Sequence, residues 1–560
     1  MKRACGVLLP LSSLPGDFGI GSISKDAYDF VDFLGRSGQS YWQILPLAPT
    51  GYGDSPYQSS SAFAGNANYI SLQYLIDNNL LDKEDVSDIC WGEDEKVDYG
   101  ILWENREKLL YKAFLNFLDK KYLKTDKMPK KSKEVAEEKS EIKEDKETED
   151  AKTQDKEILE ESCGCEKKDD VKLKVLPYKE KIFTKEEFLL LNKELPDQTK
   201  EFCLFQAIKK RNNYKPWYEW EDGLRFRKSA ALEKFKKSEN NLILFYRWIQ
   251  VLFNIEWAKI KKYANEKNIE IIGDMPIYVS LDSSDSWANE KLFSFDENRM
   301  PKRVAGCPPD YFSPDGQLWG NPLYDWEYHK LTDYAWWKER FEYNFLLYDY
   351  IRMDHFRGFD EYYSIDASSK TAREGRWERG PGLEMFDSLR EHFKDRFERL
   401  PIIAEDMGLL TDSVIEMVKG SGFPSMKVLE FAFDSDSKNI YLPHNYERNC
   451  VAYTGTHDNT TIRAWIDSLN HDTKQFMISY LGAEHTPYKD LHFVCIRTLF
   501  ASVADTVIIP MQDYLGLGES ARSNTPGTLG ENWKWRLKKD AITEELIWHM
   551  ALLAGMYSRS

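Results

Sequence analysis

Residues 350–358 read Tyr-Ile-Arg-Met-Asp-His-Phe-Arg-Gly, a short apolar run that ends in charged residues and a glycine. Side chains alternate between faces along a strand, so Arg352 and Asp354 are expected to point the same way. A guanidinium beside a carboxylate lowers its pKa, and an ionised, well-placed Asp can act as a nucleophile. The same residues also fit a buried structural ion pair, so this motif alone does not decide between the two.

The same pattern, an apolar or β-branched run followed by a polar cluster rich in glycine or proline, occurs eight times. The runs cover residues 6–9, 41–45, 269–273, 350–353, 401–404, 426–431, 451–454 and 506–510. Amphipathic stretches such as residues 242–267 lie between several of them. Strands that alternate with helices predict parallel βα units. Eight units predict an α/β fold, a closed (β/α)8 TIM barrel whose chemistry gathers at the carboxyl ends of its strands.

A doubly wound open sheet is the structural alternative. Such a sheet usually gathers its ligand residues at one switch point. Here the polar clusters follow many different runs, and this distribution favours the barrel.

A long segment separates the second and third runs. We interpret residues 72–240 as a helical insertion within a single catalytic barrel that spans residues 1–560, because helical patterns occur near residues 102–118 and 202–210. The insertion is too long for a simple loop.

Part of this insertion differs sharply in composition from the rest of the chain. Residues 120–172 contain 15 Lys and 17 acidic residues, and no aromatic residue lies between Tyr122 and Tyr178. Such a stretch cannot bury enough apolar surface to offset the entropy lost on ordering. The sequence therefore predicts that residues 120–175 are disordered.

Charge and cysteine usage exclude several classes of function. The formal charge is −17 and the pI is near 5.2, so we expect neither nucleic acid nor an anionic membrane as a partner. The sequence contains no run of eighteen apolar residues, so we expect no membrane span. The apolar N-terminal stretch is broken by Gly6 and Pro10, unlike a signal peptide. The eight cysteines lack the spacing of a disulfide framework or a zinc site. These features predict a cytoplasmic protein.

A second acidic motif, Ile-Ile-Ala-Glu-Asp-Met-Gly, occupies residues 402–408. Glu405 and Asp406 follow an apolar run, so they are expected to point to opposite faces. A Glu against apolar walls can hold the raised pKa that a general acid requires. For Asp406 we expect a helix N-cap or dipole partner formed with residues 407–408.

The third motif, Tyr-Thr-Gly-Thr-His-Asp-Asn at residues 453–459, places His457 beside Asp458. His, Asp and Glu from several strand ends also fit a metal site. However, His355 and His457 lack the His-x-x-x-His spacing of a helical zinc motif, and both suit hydrogen bonding to a hydroxyl-rich ligand. The sequence therefore favours a metal-free site.

Several longer motifs occur in order around these acids. They are Gly-Tyr-Gly-Asp-Ser-Pro-Tyr-Gln-Ser (51–59), Gly-Asp-Met-Pro-Ile-Tyr-Val (273–279), Pro-Pro-Asp-Tyr-Phe-Ser (308–313), Gly-Gln-Leu-Trp-Gly-Asn-Pro-Leu-Tyr (316–324) and Asn-Thr-Pro-Gly-Thr (524–528). Together with the three acidic motifs, they closely resemble the amylomaltases, the 4-α-glucanotransferases (disproportionating enzymes) of glycoside hydrolase family 77. The resemblance runs from residue 6 to about residue 536 and omits the charged segment.

The resemblance implies a role for each matching residue. Asp354 matches the nucleophile, Glu405 the general acid/base and Asp458 the carboxylate that stabilises the transition state. The residues that bind the sugar at the cleavage point are matched by Arg352, His355 and His457. The residues of the substrate-binding loops are matched by Tyr57, Asp274, Gln317, Trp319 and Asn321. The chain departs from the family pattern at Ile462 and Ala464, where Thr and Gly are expected, and these positions fall on the following helix.

The resemblance also implies the reaction. A segment of an α-1,4-glucan would pass from a donor maltooligosaccharide to the 4-hydroxyl of an acceptor glucan or glucose, through a covalent glucosyl-enzyme on Asp354 and without metal or cofactor. The loop at residues 306–324 is expected to cover the bound chain. An α-amylase-type hydrolase and an inactive glucan-binding protein are the alternatives, and the chain is expected to be a monomer or a homodimer.

Overall fold

A computed structural model describes residues 1–119, 182–309, 314–408 and 410–560. The segment for which the sequence predicts disorder, residues 120–175, lies outside them. In chain order the strands are β1 (Ala4–Leu8), β2 (Tyr41–Gln43), β3 (Glu270–Met275), β4 (Arg303–Cys307), β5 (Gln317–Pro322), β6 (Tyr350–Met353), β7 (Glu361–Asp366), β8 (Arg376–Arg379), β9 (Ile402–Ala404), β10 (Ser425–Val428), β11 (Cys450–Tyr453) and β12 (Thr506–Pro510).

The helices of the described residues lie between and around these strands. They are α1 (Lys25–Arg36), α2 (Leu72–Asp77), α3 (Glu84–Ser87), α4 (Tyr99–Asp119), α5 (Lys185–Glu194), α6 (Asp197–Arg211), α7 (Asp222–Arg225), α8 (Ser229–Ser238), α9 (Asn240–Glu266), α10 (Ser284–Ala288), α11 (Trp326–Leu331), α12 (Ala335–Leu347), α13 (Leu383–Phe393), α14 (Asp412–Ser421), α15 (Ile462–Ser468), α16 (His471–Leu481), α17 (Leu491–Ala501), α18 (Met511–Tyr514) and α19 (Glu544–Met556). Helices α2 to α8 fall within the stretch interpreted as an insertion.

Eight strands form one parallel sheet in the order β10-β11-β12-β1-β2-β3-β6-β9. Each of the eight predicted runs overlaps one of these strands, so the predicted parallel (β/α)8 architecture is confirmed. The spatial order follows the chain order around the sheet, and β9 and β10 come together where it closes.

The junction of β9 and β10 is held by two hydrogen bonds instead of a continuous ladder. The Ala404 N–H donates to the Pro424 carbonyl (2.9 Å), and the Met426 N–H donates to Asp406 Oδ1 (2.8 Å). The N-cap of the next helix, α14, is Thr411. The expected N-cap role of Asp406 is therefore wrong, because the residue lies at the end of β9 and its carboxylate reaches the neighbouring strand.

Strand alternation divides the core into two apolar layers. Inward-facing residues form a barrel interior (Ala4, Leu8, Tyr41, Ile272, Ile403, Met426, Val428, Val451, Tyr453 and Ile508), while residues of opposite parity pack against the helices. The inward parity continues past the carboxyl ends of the strands. Asp274 follows Ile272 in this parity and Glu405 follows Ile403, so folding of the apolar core also places the charged residues.

A second, antiparallel sheet with the order β5-β4-β7-β8 was not predicted from the sequence. It has its own apolar cluster of Val304, Tyr363, Ile365, Ala372 and the partly buried Trp377. The segment expected to be a loop at residues 306–324 therefore contains strand β5. Its glycines and prolines obscure the strand in the sequence, and pairing with β4 supplies the hydrogen bonds that stabilise it.

In the described part of the chain, none of the helices has the length and apolar character required to cross a membrane.

The residues that flank the charged segment on its two sides lie close together. The rings of Phe117 and Phe183 are 5.5 Å apart, and the Ile182 N–H donates to Asn78 Oδ1 (3.1 Å).

We therefore predict that replacing residues 122–175 by a short Gly/Ser linker leaves the melting temperature and the catalytic activity close to those of the full chain, since a shorter connection costs less closure entropy. Loss of folding, seen by circular dichroism, would show that the segment is structural.

Candidate active site

Charged side chains from β3, β6, β9 and the loop after β11 meet at the carboxyl end of the barrel. At their centre, Arg352 Nη1 donates to Asp274 Oδ2 (2.8 Å) and to Asp354 Oδ1 (3.0 Å). The hydroxyl of Tyr57 also donates to Asp274 Oδ2 (2.9 Å). The contact between Arg352 and Asp354 that strand parity predicted is therefore present.

Exposure separates the acids that reach the cleft from the one that does not. The side chains of Asp354 and Asp458 are 25% and 39% exposed, whereas that of Asp274 is 0% exposed. Asp274 was expected in a substrate-binding loop. In the structure its carboxylate contacts Arg352 and Tyr57, so it orients the guanidinium that in turn contacts Asp354.

The pKa of Asp354 moves opposite to the sequence-based expectation. Burial raises this pKa to about 7, the Arg352 guanidinium opposes the rise, and the charges of Asp274 and Glu405 add to it. The cost of removing the carboxylate from water therefore exceeds the attraction of the neighbouring cation. The motif at residues 350–358 shows the cation, but it shows neither the burial of Asp354 nor its distance from the acids of other strands.

Glu405 is held by the backbone of two neighbouring residues. Its Oε2 accepts from the His355 N–H (2.7 Å) and its Oε1 accepts from the Met407 N–H (3.0 Å). Burial raises the pKa of Glu405, while the Arg352 guanidinium and these two N–H groups oppose the rise. The direction agrees with the prediction, but polar backbone groups replace part of the expected apolar wall.

His355 combines an unusual backbone conformation with an aromatic environment. Its φ of +52° is left-handed, a conformation that L-residues seldom adopt. Its ring lies edge-on to Trp319 at 5.0 Å, and burial lowers its pKa to about 3. The neutral ring therefore stands beside the cleft while the backbone N–H of the same residue holds Glu405.

Asp458 lies in the most strongly anion-stabilising environment of the three cleft acids. Its Oδ1 accepts from Asn524 Nδ2 (2.6 Å), its Oδ2 lies 3.3 Å from His457 Nε2, and its carbonyl accepts from Arg522 Nη2 (2.9 Å). Burial alone would raise the pKa of Asp458, but His457 and Asn524 hold it well below its usual range. Asp458 therefore stays ionised where Glu405 and Asp354 hold protons more readily.

The sequence reasoning had placed His457 beside Asp458, but it missed the other two partners, Asn524 and Arg522. Asn524 does belong to the motif at residues 524–528, which the resemblance singled out, but nothing there indicated a contact with Asp458. Such a contact joins residues 66 positions apart.

Three of the remaining predicted binding residues, Gln317, Trp319 and Asn321, lie on β5, and Trp319 contacts His355 beside the cleft. Trp319 Nε1 donates to Gln317 Oε1 (3.1 Å), and both residues project from β5. The amide of Asn321 donates to the Val279 carbonyl (2.8 Å) and accepts from Gln58 Nε2 (3.2 Å). Asn321 is buried, so this amide fixes the strand to the barrel rim. His457 stacks on Tyr57 with ring centres 5.1 Å apart.

Throughout the described ranges, no group of three or more His, Cys, Asp or Glu side chains has the geometry to hold a metal ion. The cleft acids are instead engaged by Arg352, by backbone N–H groups and by the side chains of His457 and Asn524.

The structure is a parallel eight-stranded barrel with three carboxyl groups of different pKa at its carboxyl end. These features define a class, the barrel enzymes that use acid–base and nucleophilic carboxylates on glycosidic bonds. The chain belongs to glycoside hydrolase family 77, whose profile, described as 4-alpha-glucanotransferase, matches residues 9–145 and 120–543.

Individual relatives agree with the family assignment. The chain is 40% identical to the 4-alpha-glucanotransferase of Clostridium butyricum, with 98% of this chain and 99% of the relative covered. It is also 40% identical to the 4-alpha-glucanotransferase of Streptococcus pneumoniae, with 100% of this chain and 98% of that protein covered. Among solved structures, the amylomaltase from Streptococcus agalactiae in complex with acarbose has a TM-score of 0.84 at 37% identity, and both chains are fully covered.

The arrangement around Arg352 predicts the effect of replacing Asp274. Asp274→Asn removes a buried negative charge that raises the pKa of Asp354. The pKa of Asp354 should therefore fall, and the acidic limb of kcat/KM for maltotriose should move to lower pH by about one pH unit. Asp395→Asn, a change at an exposed position on the outer surface, is the control and should leave the profile unchanged. A folded Asp274→Asn protein with an unmoved acidic limb would contradict the electrostatic coupling.

Proposed function

We propose that the protein transfers a segment of an α-1,4-glucan from a donor maltooligosaccharide to the 4-hydroxyl of an acceptor glucan or glucose, with retention at the donor anomeric carbon. Its family membership makes it a 4-α-glucanotransferase. Family membership supports the retaining mechanism, and so does the arrangement of the three acids around one cleft. Arg352 donates a hydrogen bond to Asp354 (3.0 Å), two backbone N–H groups hold Glu405, and Asn524 holds Asp458.

In the first step Asp354 attacks the anomeric carbon while Glu405 donates its proton to the glycosidic oxygen. The bond between that carbon and the oxygen breaks, the reducing-end part of the donor leaves as an alcohol, and a β-glucosyl ester forms on Asp354. Arg352 directs Asp354 through the 3.0 Å hydrogen bond. The backbone N–H of His355 holds the Glu405 carboxyl beside it.

In the second step the ionised Glu405 takes the proton from the acceptor 4-hydroxyl. The acceptor oxygen attacks the anomeric carbon from the opposite face, and Asp354 leaves as a carboxylate. Asp458 carries no proton in either step. Its fixed negative charge stabilises the oxocarbenium-like charge that develops at the sugar twice in each cycle.

The acids alone do not distinguish a sugar acceptor from water. Family membership favours transfer, and the antiparallel sheet of β4, β5, β7 and β8 offers a further support, because its Trp319 lies against His355 beside the cleft. A flat apolar ring suits the face of a glucosyl unit and excludes water. The complex of the Streptococcus agalactiae relative with acarbose supports the same ligand class for this cleft.

The proposed location is the cytoplasm. The described cysteines are free: Cys5, Cys90, Cys203, Cys307, Cys450 and Cys495. Unpaired thiols are usual in reducing compartments.

Incubation with maltotriose alone tests the proposed reaction. We predict glucose together with a ladder of longer maltooligosaccharides, because each glucosyl-enzyme is captured by another sugar. Chromatography of the products over time is the measurement, and acarbose should suppress all of them together. Maltose and glucose without longer products would indicate a hydrolase, and an unchanged substrate would indicate a binding protein.

A covalent trap tests the assignment of the acids. Glu405→Gln cannot supply a proton, but α-glucosyl fluoride has a leaving group that needs little assistance. The first step should therefore proceed, and the second should stall without a base. Mass spectrometry of the digested protein should find one glucosyl group, on Asp354.

Two variants serve as controls for this trap. Asp354→Asn in the Glu405→Gln background should carry no label, and Asp458→Asn should slow labelling without changing its position. A glucosyl group on Asp458 or Asp406, or an inverted product from the unmodified enzyme, would overturn the assignment.

A further inference from the structure

The loop at residues 454–462, which carries His457 and Asp458, rests on two buried carboxyl groups that the proposed reaction does not use. Glu430 lies just after β10 and Asp513 lies in α18, just after β12. The two strands flank β11, which leads into the loop. Glu430 is 9% exposed and Asp513 is 1% exposed, so both are buried and neither is open to the substrate cleft.

Asp513 holds both ends of this loop. The Thr454 hydroxyl donates to Asp513 Oδ2 in a short hydrogen bond, and the Ile462 N–H donates to Asp513 Oδ1 (2.8 Å). Thr454 is the first residue of the loop and Ile462 is the last, which is also the first residue of α15. One carboxylate thus fixes the distance between the two ends.

Glu430 lies beneath the middle of the loop, beside Asn459. Asn459 Oδ1 accepts from the Thr456 N–H (3.0 Å) and the Thr456 hydroxyl (2.9 Å), and both Asn459 and Glu430 border Gly455. The fit is close: a Cβ added at Gly455 would lie 2.9 Å from Glu430 Oε1. Thr456 in turn accepts from the Asp458 N–H (3.3 Å), so the network reaches the catalytic loop residue directly.

The two carboxyl groups are unequal in their hydrogen bonding. Asp513 accepts from two donors, whereas Glu430 Oε1 has no hydrogen-bond donor within the described residues. The other titratable groups that face Glu430 are Glu519, the cation Arg522 and the thiol of Cys495. The two donors of Asp513 favour its charged form, whereas the missing donor at Glu430 Oε1 favours a proton on Glu430.

The electrostatic directions agree with this geometry. Burial raises the pKa of Glu430 well above its ordinary value, and the Asp513 charge adds to the rise. Burial also raises the pKa of Asp513, to about 7, but its hydrogen bonds from Thr454 and Ile462 oppose the rise.

We propose that Glu430 and Asp513 are positioning residues for His457 and Asp458, with Asp513 as the charged acceptor at the loop ends and Glu430 as a neutral acid beneath its centre. The expected effect of these two residues on turnover rests on the proposed role of Asp458. The protonation state of Glu430 does not depend on that role, and it can be measured without any substrate.

Glu430→Gln is the decisive variant because Gln has the shape of a protonated Glu. It should retain most of the wild-type kcat, within about threefold, whereas Glu430→Ala should lower kcat by about tenfold or more with little change in KM, since a misplaced group acts mainly on the transition state. Asp513→Asn should also lower kcat, because an amide offers one acceptor where two donors must be met. Glu416→Gln, at an exposed position on α14, is the matched control.

A second measurement tests the proton on Glu430 without an activity assay. A folded-state pKa above the unfolded value near 4.5 means that the native protein holds a proton which the unfolded chain releases, so this group costs stability progressively as pH rises above about 4.5. Gln carries no such cost. The melting temperature of Glu430→Gln relative to wild type should therefore increase from pH 5 to pH 8, while that of Glu416→Gln should stay constant.

The outcomes separate this inference from the proposed function. Equal losses of kcat in folded Glu430→Gln and Glu430→Ala, or a difference in melting temperature that is independent of pH, would overturn the neutral-acid role. Wild-type activity in folded Glu430→Ala would overturn the positioning role. A wild-type protein that makes no product from maltotriose would contradict the proposed function, and the melting series would still decide the state of Glu430.

Discussion

The buried guanidinium of Arg352 is the interaction on which the site depends. It is 1% exposed and bridges Asp274, which is closed off from the cleft, to Asp354, which opens into it. A charge buried in this way is stable only with its partners, and removal of one partner from such a pair typically costs about 3–5 kcal/mol. The geometry of Asp354 is therefore fixed by residues of β3 and β6 together, and the register between these strands is part of the catalytic apparatus.

Around this cation the fold gives each acid a different environment. Glu405 receives two backbone N–H groups at the end of β9, one of them from His355 in its left-handed conformation. Asp458 lies on a loop and is surrounded by His457, Asn524 and Arg522. Rigid strand ends thus hold the residues that exchange bonds and protons, while a loop, itself held by buried groups, supplies the constant charge.

The closure of the barrel and the support of the loop use the same device. Asp406 joins β9 to β10 by accepting the Met426 N–H, and Asp513 joins the two ends of the loop at residues 454–462. In both places a buried carboxyl accepts from a backbone N–H, and Asp513 also accepts from the Thr454 hydroxyl. Burial of a carboxyl group without partners is unfavourable. The hydrogen bonds of these two groups select one arrangement of the neighbouring elements, where apolar packing alone would allow several.

The sequence by itself determined the eight strands of the barrel, the strand ends at which the acids lie, and the shared face of Arg352 and Asp354, because these follow from apolar runs and from the two-residue period of a strand. Only the tertiary structure decided the partner of Asp406, the antiparallel sheet that contains β5, the contact of Asn524 with Asp458, and the raised pKa of Asp354. Each of these depends on groups far apart in the chain and on how much water is excluded around them. Local sequence carries neither quantity, since burial and long-range contact exist only once the chain has folded.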